Sequence, residues 1–347
     1  MQEHVRNYYG ETLTSSEDLQ TNACCTSEAP PQHIRSILSS IHNEVSSRYY
    51  GCGLIIPEEI TGLNVLDLGC GAGRDCYLLS ALVGEEGNVT GIDMTPKQLT
   101  IAKDYIDFHT NEFKYPKPNV HFLHGNLQAL NLLDLEDASF DLIVSNCVIN
   151  LCTDKSAVLN DAYRLLKPGG EMYFSDVYAD RRVPELLTQD PELYGECLSG
   201  ALYWNDFITI AKQAGFLDPR LVKDSPIQIE NNELEEKTET INFFSATYRL
   251  FKIDGLESDC EDYGQAVIYK GTIEHHPHAF QLDKHHFIPT GKVFPVCGNT
   301  WRMLYETRFK GHFDFIGNGK IHYGIFDGCG VSIPFTSETR ENTNACC

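Results

Sequence analysis

Residues 65–73, VLDLGCGAG, constrain the fold more than any other stretch of this 347-residue chain. A short apolar run ending in glycines reads as a buried strand followed by a tight turn. Gly69 and Gly71 let the backbone approach a ligand closely. A helix opening at Arg74 then directs its amino end at that ligand, where a dinucleotide would place its pyrophosphate. Asp67 departs from the dinucleotide form. A carboxylate just before the glycines suits a cationic amine and repels phosphate.

The same alternation continues downstream. Residues 74–83 read as a helix stopped at Gly84, and 89–92 as a second strand. Thr95 caps and Pro96 opens a helix running towards Phe108. Residues 120–123 and 140–144 are the third and fourth strands. Asp154 caps a helix through Leu166, and the 167–170 turn (KPGG) leads into a fifth strand at 171–175. Strands alternating with helices predict an α/β fold, a parallel sheet covered on both faces. Before it, Pro30 and Pro31 open a helix with Ile34, Ile37, Leu38, Ile41 and Val45 on one face, which leads into the loop RYYGCG. Beyond Asp176 the alternation fades. Asn205 caps a helix ending near Gly215, residues 243–251 read as a strand, and short strands such as 266–269 follow. The expected organisation is an amino-terminal segment with a helix and a cysteine loop (1–59), a Rossmann-like cofactor domain (60–178), a second region (179–251) and a small α+β carboxyl-terminal module (252–347). The tail 336–347 reads as disordered.

In such a sheet the ligand lies outside the carboxyl ends of the strands. Asp93 ends the second strand, where a carboxylate can accept from both ribose hydroxyls. Met94 can pack on adenine, and Gly125, Asn126 and Leu127 can read its edge. Cys70 fills a position that needs a small side chain, and Tyr50, Gly73, Arg74 and Ser145 complete the expected set. S-adenosylmethionine carries the ammonium that Asp67 suits. A glycine loop alone also fits a structural turn or a nicotinamide enzyme. Asp67, Asp93, Asn126 and the KPGG turn together resemble the class I S-adenosylmethionine methyltransferases over about residues 60–178.

Charge and cysteines narrow the acceptor. The chain has 27 Lys and Arg against 49 Asp and Glu, a formal net charge of −22. Such a surface repels nucleic acid and anionic lipid but not a neutral or cationic small molecule. No apolar run approaches the roughly 20 residues that span a bilayer. The start MQEHVRNYYGETL has neither the basic nor the apolar run of a signal peptide. A cytosolic protein is expected and, with no heptad pattern, a monomer. Thirteen cysteines are many for that compartment. No C-x-x-C pair occurs, which argues against a zinc ribbon. Structural thiols, redox chemistry, or a soft metal or metalloid site built from distant cysteines remain.

Four cysteines have distinctive surroundings: Cys24 in TNACC (repeated at 343–347), Cys52 in RYYGCG, Cys147 in VSNCVINL and Cys197 in YGECLSGALYW. With SDVYADRR at 175–182, they give the chain a resemblance to the arsenite S-adenosylmethionine methyltransferases over most of residues 7–250. Three converging thiolates, Cys52, Cys147 and Cys197, suit soft trivalent arsenic, whereas zinc takes a fourth ligand. The arsenic lone pair then attacks the methyl carbon and no general base is needed. Tyr50 can face the sulfonium with its ring. The resemblance further implies that Cys24 forms a disulfide with Cys52 during turnover, which a thiol reductant, thioredoxin or glutathione, resets. Beside it, Cys25 offers a second candidate that the motif favours less. The substrate on this reading is arsenite or its thiol conjugates. A methyltransferase for a small organic acceptor would not need the three cysteines together, and a metalloid-sequestering protein would not need Asp67 and Asp93. Cys76 is expected to pack, and Tyr203 and Trp204 to shield the arsenic site. His275, His276, His278, His285 and His286 read as a solvated loop, and Cys346 and Cys347 as a reactive tail. Cys152, Cys260, Cys297 and Cys329 match no motif.

Overall fold

The computed structural model describes residues 29–51, 53–190, 193–194, 197–229, 231–238, 240–329 and 335. Cys24, Cys25, Cys52, Cys346 and Cys347, and with them the 336–347 tail, lie outside the described residues.

One sheet holds β1 (Asn64–Leu68), β2 (Asn88–Asp93), β3 (Val120–His124), β4 (Phe140–Asn146), β5 (Leu166–Ala179), β6 (Leu202–Tyr203), β7 (Arg220–Pro226) and β8 (Phe243–Phe251). Their order is β3-β2-β1-β4-β5-β8-β7, with β6 beside the end of β5. The first five strands pair in parallel. β8 lies antiparallel between β5 and β7, so the strand expected at 243–251 extends the sheet rather than standing apart from it. Val65, Leu66 and Leu68 of β1 are fully buried, as a central parallel strand covered on both faces requires.

Local signals fix most of the helices. Gly73 and Gly84, both at positive φ, bracket the helix Arg74–Val83. Asp154 caps Lys155–Leu165 by accepting the Ala157 N–H at 2.9 Å. Elsewhere the boundaries differ from expectation. The helix from Pro96 breaks at Tyr105 into Pro96–Asp104 and Ile106–Glu112. Thr95 precedes it without a capping bond, because its hydroxyl turns to Asp93. The 34–45 face is shared by Gln32–Ser40 and Asn43–Ser46, since Ile41 turns extended and His42 caps the second helix. Asn205 sits inside the first turn of Trp204–Gln213.

The carboxyl-terminal module contains β9 (Glu261–Asp262), β10 (Gln265–Tyr269), β11 (Ala279–Asp283), β12 (His286–Pro289), β13 (Val293–Val296), β14 (Phe313–Ile316), β15 (Gly324–Ile325) and the helix Gly298–Tyr305. β10 is flanked antiparallel by β13 and β14, while β11–β12 and β9–β15 form separate pairs. The aromatic core of Tyr269, Phe280, Phe309 and Phe313 also takes in Phe251, the last residue of β8. The histidine stretch is only partly a solvated loop, because the half-buried His286 ring bonds Asp283 at 2.8 Å.

A buried ion network joins this module to the main sheet. Arg249 on β8 pairs with Glu171 on β5 and with Glu58, each at 2.6 Å. Arg308, from the carboxyl-terminal module, reaches Glu171 at 2.5 Å and donates to the Glu58 carbonyl at 2.7 Å. Among the described residues no helix is long and apolar enough to cross a membrane.

Candidate active site

The chain runs outward through β1, β2 and β3, then returns to β4 on the other side of β1. Strand order reverses at that point, and the carboxyl ends of β1 and β4 part to leave a crevice. A cavity of about 1030 Å³, part of it open to solvent, occupies it. Of the expected cofactor residues, Tyr50, Asp67, Gly69, Cys70, Gly71, Arg74, Asp93, Met94, Asn126 and Leu127 line the cavity, as does Cys147. Three do not. Gly73 caps the helix Arg74–Val83. Gly125 donates its N–H to the Asp93 carbonyl at 3.0 Å. Ser145 is buried and spends its hydroxyl on the Leu68 carbonyl at 3.0 Å, tying β4 to β1.

The cavity wall is built for a ligand laid on backbone. Gly71, at φ 51°, has open space where a side chain would stand, while a side chain at Gly69 would collide with Val148. Asp93 accepts the Gly71 and Thr95 amides at 2.9 and 2.7 Å. These bonds fix the carboxylate and leave it acceptor capacity for a hydroxyl donor. The Asn126 side-chain oxygen accepts the Gln128 N–H at 3.0 Å, which sets the orientation of its amide. Asp67 is 2 % exposed and accepts the Cys76 thiol at 3.2 Å, so Cys76 bonds as well as packs. Burial, and next the nearby Asp75, push the Asp67 carboxyl up to about 8. A cation against it would favour the ionised form. The residues present therefore fit the adenosyl, ribose and ammonium parts of S-adenosylmethionine.

Cys147 follows β4 at φ 58°, its N–H donating to the Ser175 carbonyl at 2.9 Å. Cys197, fully buried at φ 62°, has its thiol 3.5 Å from the Cys147 carbonyl oxygen. Two of the six described non-glycine residues at positive φ are thus these cysteines. Such strain persists only where the surroundings impose it, and it clusters at functional sites. Val148, next in sequence to Cys147, presses on Gly69, so the thiol's position is tied to the glycine turn. Cys52 lies outside the described residues, but its flanking glycines do not. A side chain at Gly51 would run into Asn146, and one at Gly53 would meet the Ser175 hydroxyl. Gly51 and Gly53 thus lie beside Asn146 at the end of β4 and Ser175 within β5, next to Cys147.

Several site residues escaped the sequence reading. The Asn146 amide nitrogen lies 2.8 Å from the Tyr49 hydroxyl, from the Gly53 carbonyl and from Asp75. Its oxygen accepts the Gly53 N–H at 3.2 Å. One amide beside Cys147 therefore fastens the Gly53 loop to the helix that floors the cavity. Arg74 pairs with Asp75 at 3.1 Å and covers the Tyr49 ring at 3.7 Å. Lys155 donates to the Cys152 carbonyl at 2.8 Å, with Asp176 and Cys197 nearby, and burial pulls its ammonium down. Asp176 accepts the Asn150 and Val177 amides, and burial pushes it up to about 6. Burial also raises the Cys70 thiol to about 11 and the Cys152 thiol to about 12, which keeps both protonated at neutral pH.

Trp204 does not form the expected shield, being 49 % exposed, and Tyr203 lies against Arg182. Val177, Leu193, Leu198 and Phe243 enclose Cys197 instead. Among the described residues no group of three or more His, Cys, Asp or Glu side chains is arranged to hold a metal ion. Of the three expected arsenic ligands, only Cys147 and Cys197 are described.

Comparison with known proteins agrees with this geometry. Residues 60–215 match the model of a methyltransferase domain, and residues 263–332 that of an arsenite methyltransferase C-terminal domain. An arsenite methyltransferase of Aquipseudomonas alcaligenes is 58 % identical, with all of both chains covered. That of Mus musculus is 48 % identical over 90 % of this chain and 82 % of its own length. The crystal structure of an arsenic(III) S-adenosylmethionine methyltransferase from Chlamydomonas reinhardtii superposes with a TM-score of 0.83. It is 50 % identical and covers 86 % of this chain and 100 % of its own.

Proposed function

The chain belongs to the arsenite methyltransferase family, and from that premise we propose how its own residues carry out the reaction. It is an enzyme that transfers methyl groups from S-adenosylmethionine to trivalent arsenic. The observation that carries the reading is the placement of Cys147 on the wall of the cofactor cavity, with the Cys197 thiol against its carbonyl. When bound, S-adenosylmethionine supplies an electrophilic methyl group. Asp67 would receive its ammonium, Asp93 its ribose hydroxyls, and Met94 and Asn126 its adenine. Tyr50, on the same cavity wall, would turn its ring to the sulfonium. Cys147 and Cys197, with Cys52 as the third thiolate, hold arsenic so that its lone pair points at the methyl carbon. Positioning and exclusion of water then do most of the work. Forming the As–C bond would take an electron pair from arsenic, while the broken S–CH3 bond would leave its pair on the departing thioether, S-adenosylhomocysteine. Closing the Cys24–Cys52 disulfide returns two electrons, and a thiol reductant, thioredoxin or glutathione, reopens it. We place the enzyme in the cytosol, as a monomer.

The direct test incubates the protein with arsenite, S-adenosylmethionine and a thiol, and separates the arsenic species. Methylated arsenicals are expected, and none under any thiol would overturn the reading. Cys24→Ala is expected to bind a methylated trivalent arsenical normally while losing most turnover of arsenite. Equal losses in both measurements would remove Cys24 from the electron return.

Asp67 adds a pH signature. Its carboxyl is raised from the ordinary carboxylate range to about 8 in the fold. A raised carboxyl contributes stability that is present below the unfolded value and lost as pH climbs to the folded one. Cofactor binding needs the ionised form, so affinity should rise towards about pH 8 and then level off. Asp67→Asn should melt higher than the wild type without cofactor at about pH 9, yet bind S-adenosylmethionine at least about tenfold more weakly, with a flat pH profile. Calorimetric titration at several pH values reads this, and an unchanged profile in the variant would assign the dependence elsewhere.

A further inference from the structure

Asp67, the penultimate residue of β1, lines the cofactor cavity although it is almost wholly buried. On its protein side it is met by Cys76, in the first turn of the helix Arg74–Val83, whose thiol donates to Asp67 Oδ2 at 3.2 Å. Cys76 is fully buried and does not line the cavity, so its sulfur touches Asp67 and not the ligand. The neighbouring strand leaves room for this thiol. Asp67 pairs with Gly91 of β2, so the two positions share a face of the sheet. A Cβ at Gly91 would stand 2.7 Å from the Cys76 sulfur and 2.8 Å from the Cys70 sulfur, well inside van der Waals contact. Gly91 is not among the glycines at positive φ, so its backbone does not call for glycine, whereas the two sulfurs do. Glycine inside a strand weakens it and often marks a close approach. Here the approaching group is the thiol that holds Asp67.

The bond works against its surroundings. Burial, and with it the Asp75 and Asp93 carboxylates, disfavours charge on Asp67, while the Cys76 bond favours it. Arg74, on the same helix, is paired with Asp75 at 3.1 Å. Cys70 is the other thiol beside Asp67, and burial keeps both it and Cys76 protonated at neutral pH. Cys76 therefore remains a donor there.

Resting on the reading that Asp67 receives the cofactor ammonium, we propose that Cys76 is a positioning residue of the cofactor site, its thiol holding the Asp67 carboxylate in the form and orientation that accept that ammonium. A hydrogen bond to the charged carboxylate is stronger than one to the neutral acid. At neutral pH cofactor binding has to ionise Asp67, and the thiol bond favours that step. At high pH the free carboxylate already accepts the thiol, so the bond is present before and after binding and cancels from the affinity. Cys76 thus contributes to binding in a pH-dependent way, without touching the cofactor.

The probe is S-adenosylhomocysteine, which keeps the ammonium without the reactive methyl, titrated calorimetrically into the full-length chain between about pH 6.5 and 9.5. The ligand's own ammonium titrates near about pH 8, but equally for every variant, so the ratio to wild type removes it. Cys76→Ala is expected to bind about five- to tenfold more weakly at pH 7, and within about twofold of wild type at pH 9.5. Cys76→Ser, whose hydroxyl also donates, should follow wild type within about twofold throughout. A purely structural role would weaken Cys76→Ala by one factor at every pH. That result, no loss at all, or a serine variant that behaves like alanine overturns the proposal. Asp67→Asn, titrated alongside, separates the two readings. Wild-type affinity in Asp67→Asn means that Asp67 does not receive the ammonium, and both readings fall. A loss in Asp67→Asn with none in Cys76→Ala removes the role of Cys76 alone.

Discussion

Cys147→Ser is expected to lower arsenite methylation by at least about 10³-fold while changing affinity for S-adenosylmethionine by less than about threefold. The two halves of this result come from different contacts. Serine differs from cysteine by one atom and can keep the φ of 58° and the amide bond to Ser175. The cofactor wall at Asp67, Gly71, Asp93 and Met94 is then undisturbed. A hydroxyl, however, is a hard ligand that stays protonated at neutral pH and cannot replace a soft thiolate. Arsenic held by fewer sulfurs loses the fixed alignment of its lone pair with the methyl carbon, and that alignment accounts for most of the rate. Cys197→Ser should behave alike, since its buried sulfur lies against the Cys147 carbonyl and a hydroxyl fits there. Initial rates and cofactor titrations on both variants read the split. An enzyme acting on an organic acceptor would keep most of its activity in both.

The second large effect is structural. Arg249→Ala should cost about 3–5 kcal/mol of stability, because it leaves Glu171 and Glu58 with one arginine between them. Arg249 and Glu171 are both fully buried, so water cannot screen the loss. Tyr173 and Phe309 also pack near the guanidinium, at 5.2 and 5.3 Å, and lose that contact. The damage should spread in both directions along the network. The Glu58 loop lies on the chain between Gly53 and β1, and Arg308 anchors the carboxyl-terminal module. Lower thermal unfolding temperature and faster proteolysis are expected. Combining Arg249→Met with Glu171→Gln should recover much of the loss, since an uncompensated charge costs more than an absent pair. A change below about 1 kcal/mol for Arg249→Ala would mean that the module is held by its apolar core alone.

What could be read from sequence was whatever a local pattern specifies. Gly73 and Gly84 bracket one helix, Asp154 caps another, and the run 243–251 is apolar enough to be a strand in any context. The cofactor side was legible for the same reason, since Asp67, Gly71, Asp93 and Asn126 each stand at the end of a strand. What was not legible depends on contacts across the chain. Asn146 reads as an ordinary polar residue until Tyr49, Gly53 and Asp75 are brought to it. Ser145, one residue away, points to the opposite face of β4 and holds β1 instead.

The placement of arsenic between Cys147 and Cys197 is open to direct measurement. X-ray absorption at the arsenic edge, on protein given one equivalent of arsenite, reports the ligand atoms. Three sulfur neighbours and no oxygen are predicted, with one sulfur lost in Cys147→Ser and one in Cys197→Ser. A sulfur count unchanged by both substitutions would contradict the thiolate site and place arsenic elsewhere in the chain.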